Sequence, residues 1–207
     1  GVQTLQTLEK YVDTLRKTMR ELTARELNEA VTIFDVCRVL QRAEMVNRIQ
    51  KEVLPIILEL GTEGRLLQLQ LQETVQPLKE AALVIRDYYR ERSGVTEETV
   101  SERISALTQE ELMNLGCLSQ ALGYGPNPRG VDSYMTPRGY HILHAINRLP
   151  SQIIDNMVHQ FETLPEILAA DKDKLVEVEG VGEVMAERIR SGITLLTNQI
   201  GKSGEFT

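Results

Sequence analysis

Val178-Glu179-Gly180-Val181-Gly182-Glu183 is the stretch that decides how the last third of this chain folds. Gly180 can take the positive φ that reverses the chain sharply, and Gly182, lacking a Cβ, lets another backbone come close. Val178 and Val181 point inward and anchor the turn. Gly182 and Glu183 open the next helix, whose first amides have no intrahelical acceptor and face outward. The turn thus joins two helices and presents main-chain donors to an anion, a phosphate above all. Read purely as structure, Gly-x-Gly between helices is also an ordinary corner. Downstream, Val184, Met185, Ala186, Ile189, Ile193 and Leu196 follow helical spacing. Beyond them the end, 201–207, has no periodicity and carries no role, whether as a frayed tail or an appended remnant.

Working upstream, the same helix, tight turn, helix pattern occurs a second time, about 33 residues earlier. Thr136 is expected to cap a helix with Pro137 at its first position. That helix carries Tyr140, Ile142, Leu143 and Ile146, and turns at Asn147-Arg148-Leu149-Pro150. Ser151 then starts a helix with Ile153, Ile154, Met157, Val158 and Phe161. A connector, Leu164 to Leu168, leads back to the glycine turn through Asp173 to Val178. The pair resembles tandem helix-hairpin-helix units, which in that family hold DNA by phosphates on the minor-groove side without reading sequence. Carried onto this chain, the contacts fall on Gly180, Val181, Gly182 and Glu183. Arg148, Arg188 and Arg190, with Lys202 further along, would add charge. The first turn lacks glycine, so any contact there depends on Arg148 and a few amides.

Composition limits how such contact could work. The 207 residues hold 23 Lys+Arg against 30 Asp+Glu, a net charge of -7, with 42% apolar residues to build a core. A chain that grips nucleic acid by basic side chains would be basic. With no Trp, 3 Phe and 6 Tyr, stacking platforms for single strands are also scarce. Donors must therefore be main-chain amides, and a single copy should bind weakly, gaining strength from several copies on one assembly.

The segment before the turns reads as helices throughout, and no stretch alternates with period 2. Leu5, Leu8, Val12, Leu15, Met19 and Leu22 form a heptad seam that calls for a partner helix. Thr23 and Glu26 have capping-box spacing and are expected to open a second helix. This one is apolar on more than one face, from Leu27 through Val39, Leu40 and Val46 to Val53, with Arg38, Arg42 and Arg48 exposed or paired. Pro55 should end or kink it. A third helix from about Arg65 is interrupted at Pro77, and shorter helices follow from Glu97 and Gln109, capped by Thr96 and Thr108. Residues 123–135, with Gly123, Gly125, Pro126, Pro128 and Gly130, mark a linker. The fold class is therefore all-α, a helical spine or bundle (1–122) followed by a tandem helix-hairpin-helix tail (136–200).

Chemistry is otherwise sparse. His141, His144 and His159 have no cysteine nearby to complete a zinc site and read as ordinary helix residues. Asp171 and Asp173 fit a helix start better than a metal pair. No P-loop, dinucleotide fingerprint or nucleophile elbow is present, and no acidic residue lies where helix-hairpin-helix glycosylases keep their catalytic aspartate. No catalytic and no metal residue is assigned. Cys37 and Cys117 read as buried free thiols of a reducing compartment, and no membrane span or signal peptide is expected, which places the chain in the cytoplasm.

Several stretches in order resemble the C-terminal two-thirds of the bacterial DNA integrity scanning (DisA) family: Leu40 to Val46, Glu59 to Leu66, Val84-Ile85-Arg86-Asp87-Tyr88, Thr136-Pro137-Arg138-Gly139-Tyr140 and Glu179 to Glu183. Asn147 departs from a proline common there in the family. The resemblance implies a missing N-terminal diadenylate cyclase, which makes cyclic di-AMP from two ATP with a divalent metal. Its Asp-Gly-Ala and Arg-His-Arg motifs do not occur here. The resemblance further implies an octameric parent associated with the nucleoid, and branched DNA at the tail that lowers cyclase output. The alternative class is a helical oligomerisation or protein-interaction module with no direct DNA role, suggested by the heptad seam.

Overall fold

The computed structural model describes residues 2–91, 94–126 and 134–203; within them the chain is all-α, with one isolated bridge between Val31 and Met135. The heptad seam forms one face of α1 (Val2–Leu27), and its partner lies in the same chain. α2 (Ile33–Glu59) runs back antiparallel to it, and Leu8, Val12, Leu15, Met19 and Leu22 are all buried. Cross-links fix the register: the Arg42 guanidinium donates to Thr18 Oγ1, and Arg25 pairs with Asp35 at 3.5 Å.

The break between these helices is five residues later than the sequence spacing implied. Thr23 stays helical and donates its hydroxyl to Met19 O at 3.0 Å, while Glu26 is buried at 1% exposure. The capping box is Thr32 with Asp35: each side chain takes the other's backbone N–H, which satisfies two donors at the start of α2. Pro55 does not stop α2, since Val53 and Ile57 on either side of it are anchored in the core. Packing there outweighs one lost backbone bond.

A 3-10 turn (Gly61–Gly64) leads into α3 (Arg65–Thr74) and α4 (Pro77–Tyr88), with Pro77 as the first residue of α4, where a missing amide proton costs nothing. α5 (Glu97–Ala106) and α6 (Gln109–Leu112) start at Thr96 and Thr108, both of which accept the expected amide. The single helix expected from Gln109 is split: Asn114 accepts from Gly116 N and begins α7 (Leu115–Ala121). Arg48 joins the layers, donating to Leu107 O at 2.6 Å and pairing with Glu44 at 3.0 Å. Cys37 is buried, which pushes its thiol up to about 12; Cys117 is half-exposed.

The remaining helices are α8 (Tyr140–His144), α9 (Ser151–Phe161), α10 (Leu164–Ala169), α11 (Lys172–Leu175) and α12 (Glu183–Ser203). Their apolar faces meet in a second buried cluster from Leu143 to Ile193, separate from the cluster of Leu8 to Leu122 in the spine. Most of the linker, 127–133, lies outside the described residues, as do 204–207 and the Lys202 side chain. Among the described residues no helix is long and apolar enough to cross a membrane.

Candidate nucleic-acid interface and its joint to the spine

The tail is an internal duplication with an offset of 32 residues, seen by matching Ile146 with Val178 and Pro150 with Gly182. Equivalent bonds build the two halves. Leu143 N donates to Gly139 O and Leu175 N to Asp171 O, both at 3.0 Å; Ile146 N to Leu143 O matches Val178 N to Leu175 O, both at 3.1 Å. In the turns, Arg148 stands where Gly180 stands. Both adopt positive φ, 62° and 84°. The first turn therefore has the shape of the second without its glycine, so an arginine side chain is presented at the bend. An L-residue in that conformation costs about 1 kcal/mol. Arg148→Gly is expected to raise unfolding stability by about that amount in urea titrations while removing a cation from the turn.

Gly180 is favoured by its positive φ, and a Cβ there would also push aside the end of the Ile153 side chain, whose Cδ1 would lie 2.7 Å away. Asn156 Nδ2 donates to Glu179 O at 2.9 Å and braces the turn from α9. Ile153 and Asn156 belong to the first two turns of α9, so both bends and the N-termini of α9 and α12 lie at one end of the tail. Gly182 differs from Gly180. Its φ is not positive and nothing lies within 4 Å of a Cβ placed on it. The close backbone approach expected at Gly182 is not made by any described part of this chain. Val184, one residue into the same helix turn, is 76% exposed.

The other expected residues divide. Val181 is buried and anchors the turn; Glu183 is exposed and starts α12. Arg188 is exposed on α12. Arg190 is committed to packing, its Nη1 donating to Leu168 O at 3.2 Å and Ala170 O at 3.0 Å at the end of α10. Asp171 caps α11 by accepting Lys174 N at 2.9 Å, with Asp173 in the first turn.

Thr136 caps no helix. Residues 136–138 are non-helical, and α8 begins at Tyr140 after Gly139, whose φ is 121°. The cap comes from the spine. The buried Asp87 carboxylate of α4 accepts Gly139 N at 3.0 Å, Tyr140 N at 2.7 Å and His141 N at 3.0 Å. Arg138 reciprocates at the same C-terminal end of α4, donating to Arg86 O at 2.9 Å and Tyr89 O at 3.0 Å with its guanidinium 4.3 Å from the centre of the Tyr89 ring. His141 is no ordinary helix residue: its Nδ1 lies 2.7 Å from Glu26 Oε1, and Glu26 also accepts the Tyr88 hydroxyl at 3.0 Å. His144 is exposed. Sequence periodicity could not find this joint, since Asp87 and Glu26 sit within helical stretches as isolated acids.

Residues 2–130 match the family model described as the DisA bacterial checkpoint controller linker region. The chain is 43% identical over 198 residues to the DNA integrity scanning protein DisA of Clostridium tetani, covering 95% of this chain and 54% of that protein. Against the DisA proteins of Clostridium beijerinckii and Streptomyces avermitilis, identity is 40% over 205 residues and 42% over 198, covering 99% and 94% of this chain and 57% and 53% of theirs. The chain belongs to the DisA family, and it spans about half the length of these relatives.

Proposed function

We propose that the tail is a helix-hairpin-helix unit that binds DNA phosphates without reading sequence, branched DNA in particular. The spine then passes its occupancy to a diadenylate cyclase domain in the part of the family's length beyond this chain. The observation that carries the reading is Gly182: a residue with no conformational or internal packing need for glycine, beside an exposed helix N-terminus. A phosphate approaching the α12 amides needs that open space, and main-chain donors serve an acidic chain that has few cations to spare. From Thr136 to Lys202 seven basic residues face nine acidic ones, a net of -2, so binding by one tail is weak and the assembled protein gains by multivalency. ATP, a divalent metal and the octameric assembly belong, on this reading, to the cyclase part. The name of the relatives, DNA integrity scanning protein, supports the DNA role. The oligomerisation reading loses its motive, because α2 covers the heptad seam within the chain. Gel shifts with a four-way DNA junction, comparing the chain with Gly182→Asp, test the proposal: weaker binding by the variant is expected, and equal binding refutes it.

A further inference from the structure

In the duplicated tail, one capping position is not equivalent. Asp171 supplies its own carboxylate to the amides of α11, while its counterpart Gly139 has no side chain. A Cβ there would meet Ile167 Cδ1 at 3.0 Å, and φ is 121°, so the position cannot readily carry a cap of its own. The spine's Asp87 supplies it instead, next to the second buried carboxylate, Glu26, and the buried imidazole of His141. We propose that Asp87, Glu26 and His141 form a proton-sensitive latch by which the spine holds the first helix of the tail, closed while the cluster keeps its protons and loosening as they leave.

The physical reason is the charge that must be buried. With His141 protonated, two carboxylates share one cation, the three amides at the start of α8 and the Tyr88 hydroxyl. With His141 neutral, two unbalanced anions remain in a buried site. Burial pushes Asp87 up to about 6, and the Glu26 charge adds to it, against the lowering effect of the His141 and Tyr140 amides. Burial alone would lower His141, but the charge and hydrogen bond of Glu26, with Asp87 and Glu80 behind it, hold it above its ordinary value. The other charges near the cluster are Arg86 of α4, which adds to partial burial in lowering the neighbouring His144, and Asp35 of α2, felt through Tyr88. A cleft lined by Arg16, Arg20, Glu80 and His141 gives protons a way in.

Both raised values have one sign. The folded joint binds more protons than the unfolded chain, so its contribution is full below about pH 4, falls as the pH rises to about 6 through Asp87, and falls again from the ordinary histidine range up to the raised value of His141, above which it is lost. The latch does not depend on DNA binding. Hydrogen exchange on the 207-residue chain, corrected for intrinsic rates, tests it at the amides of Gly139, Tyr140 and His141. Between pH 5.5 and pH 8 their protection is expected to drop about tenfold or more relative to residues 183–193. His141→Gln, which can still donate to Glu26 without titrating, should abolish the part of the drop above the ordinary histidine range. Asp87→Asn should abolish the part below it. Protection that does not change with pH in the parent chain overturns the latch, as does a pH dependence that survives unchanged in both variants.

Discussion

Asp87→Ala lowers the unfolding free energy of the chain by about 3–5 kcal/mol, among the largest losses expected of any single substitution here. Three amides at the start of α8 lose their acceptor together, at about 1–3 kcal/mol for each donor left unsatisfied in a buried site. α8 has five residues, too few to persist without a cap and a neighbour. Relief of the repulsion between Asp87 and Glu26 offsets part of the loss, which keeps it short of a simple sum. Urea denaturation followed by circular dichroism at pH 7 measures it, and a loss under about 1 kcal/mol would show that the carboxylate is not what holds α8. Asp87→Asn keeps an acceptor without the charge and should fall between the parent and the alanine variant.

The same site explains what the sequence could and could not disclose. Both turns of the tail were legible, because apolar residues at fixed steps before and after each bend are local signals, joined by glycine in the second turn and by proline in the first. The heptad seam of α1 was legible as well, though its partner was not: a seam specifies an apolar neighbour without saying which chain supplies it. Thr23 with Glu26 and Thr136 with Pro137 show the opposite error. Both pairs have the local chemistry of a helix start, and in both cases tertiary structure assigned the residues elsewhere. Glu26 was taken into the buried cluster with His141 and Tyr88. Helix α8 starts three residues after Pro137, where a carboxylate from another part of the chain satisfies its amides. A cap supplied from 52 to 54 positions away leaves no spacing to read.

The placement of the joint gives a route from tail to spine. Asp87 and Arg138 tie the C-terminal end of α4 to the start of α8, and α4 packs on α2 and α1. Glu26, near the end of α1, contacts α8 directly through His141. Force on the tail therefore meets both of these spine helices at one buried point, and α1 carries it along its 26-residue length. A joint made of several charge-assisted bonds in a closed site tends to switch between held and released states more readily than it bends by degrees.

Gly182→Asp separates binding from folding. Its Cβ meets nothing within 4 Å, so no internal contact is disturbed, and aspartate just ahead of α12 is a favoured cap for the first amides of that helix. Unfolding stability should therefore stay within about 0.5 kcal/mol of the parent or rise. DNA affinity should move the other way. The new carboxylate takes the amides a phosphate would use and adds a negative charge at the point of approach. Hydrogen bonds to a charged group are worth about 1.5–3 kcal/mol, so loss of this cradle should weaken binding to a four-way junction by about 10- to 100-fold at fixed salt. Glu183→Gln supplies the control of opposite sign. It removes an exposed negative charge beside the same amides, and affinity should rise by a few-fold, with the gain shrinking as salt is added. A Gly182→Asp chain that folds like the parent and still binds the junction equally well would place the DNA contact elsewhere. A chain that loses both folding and binding would mean that Gly182 is held by packing, contrary to the open space around it.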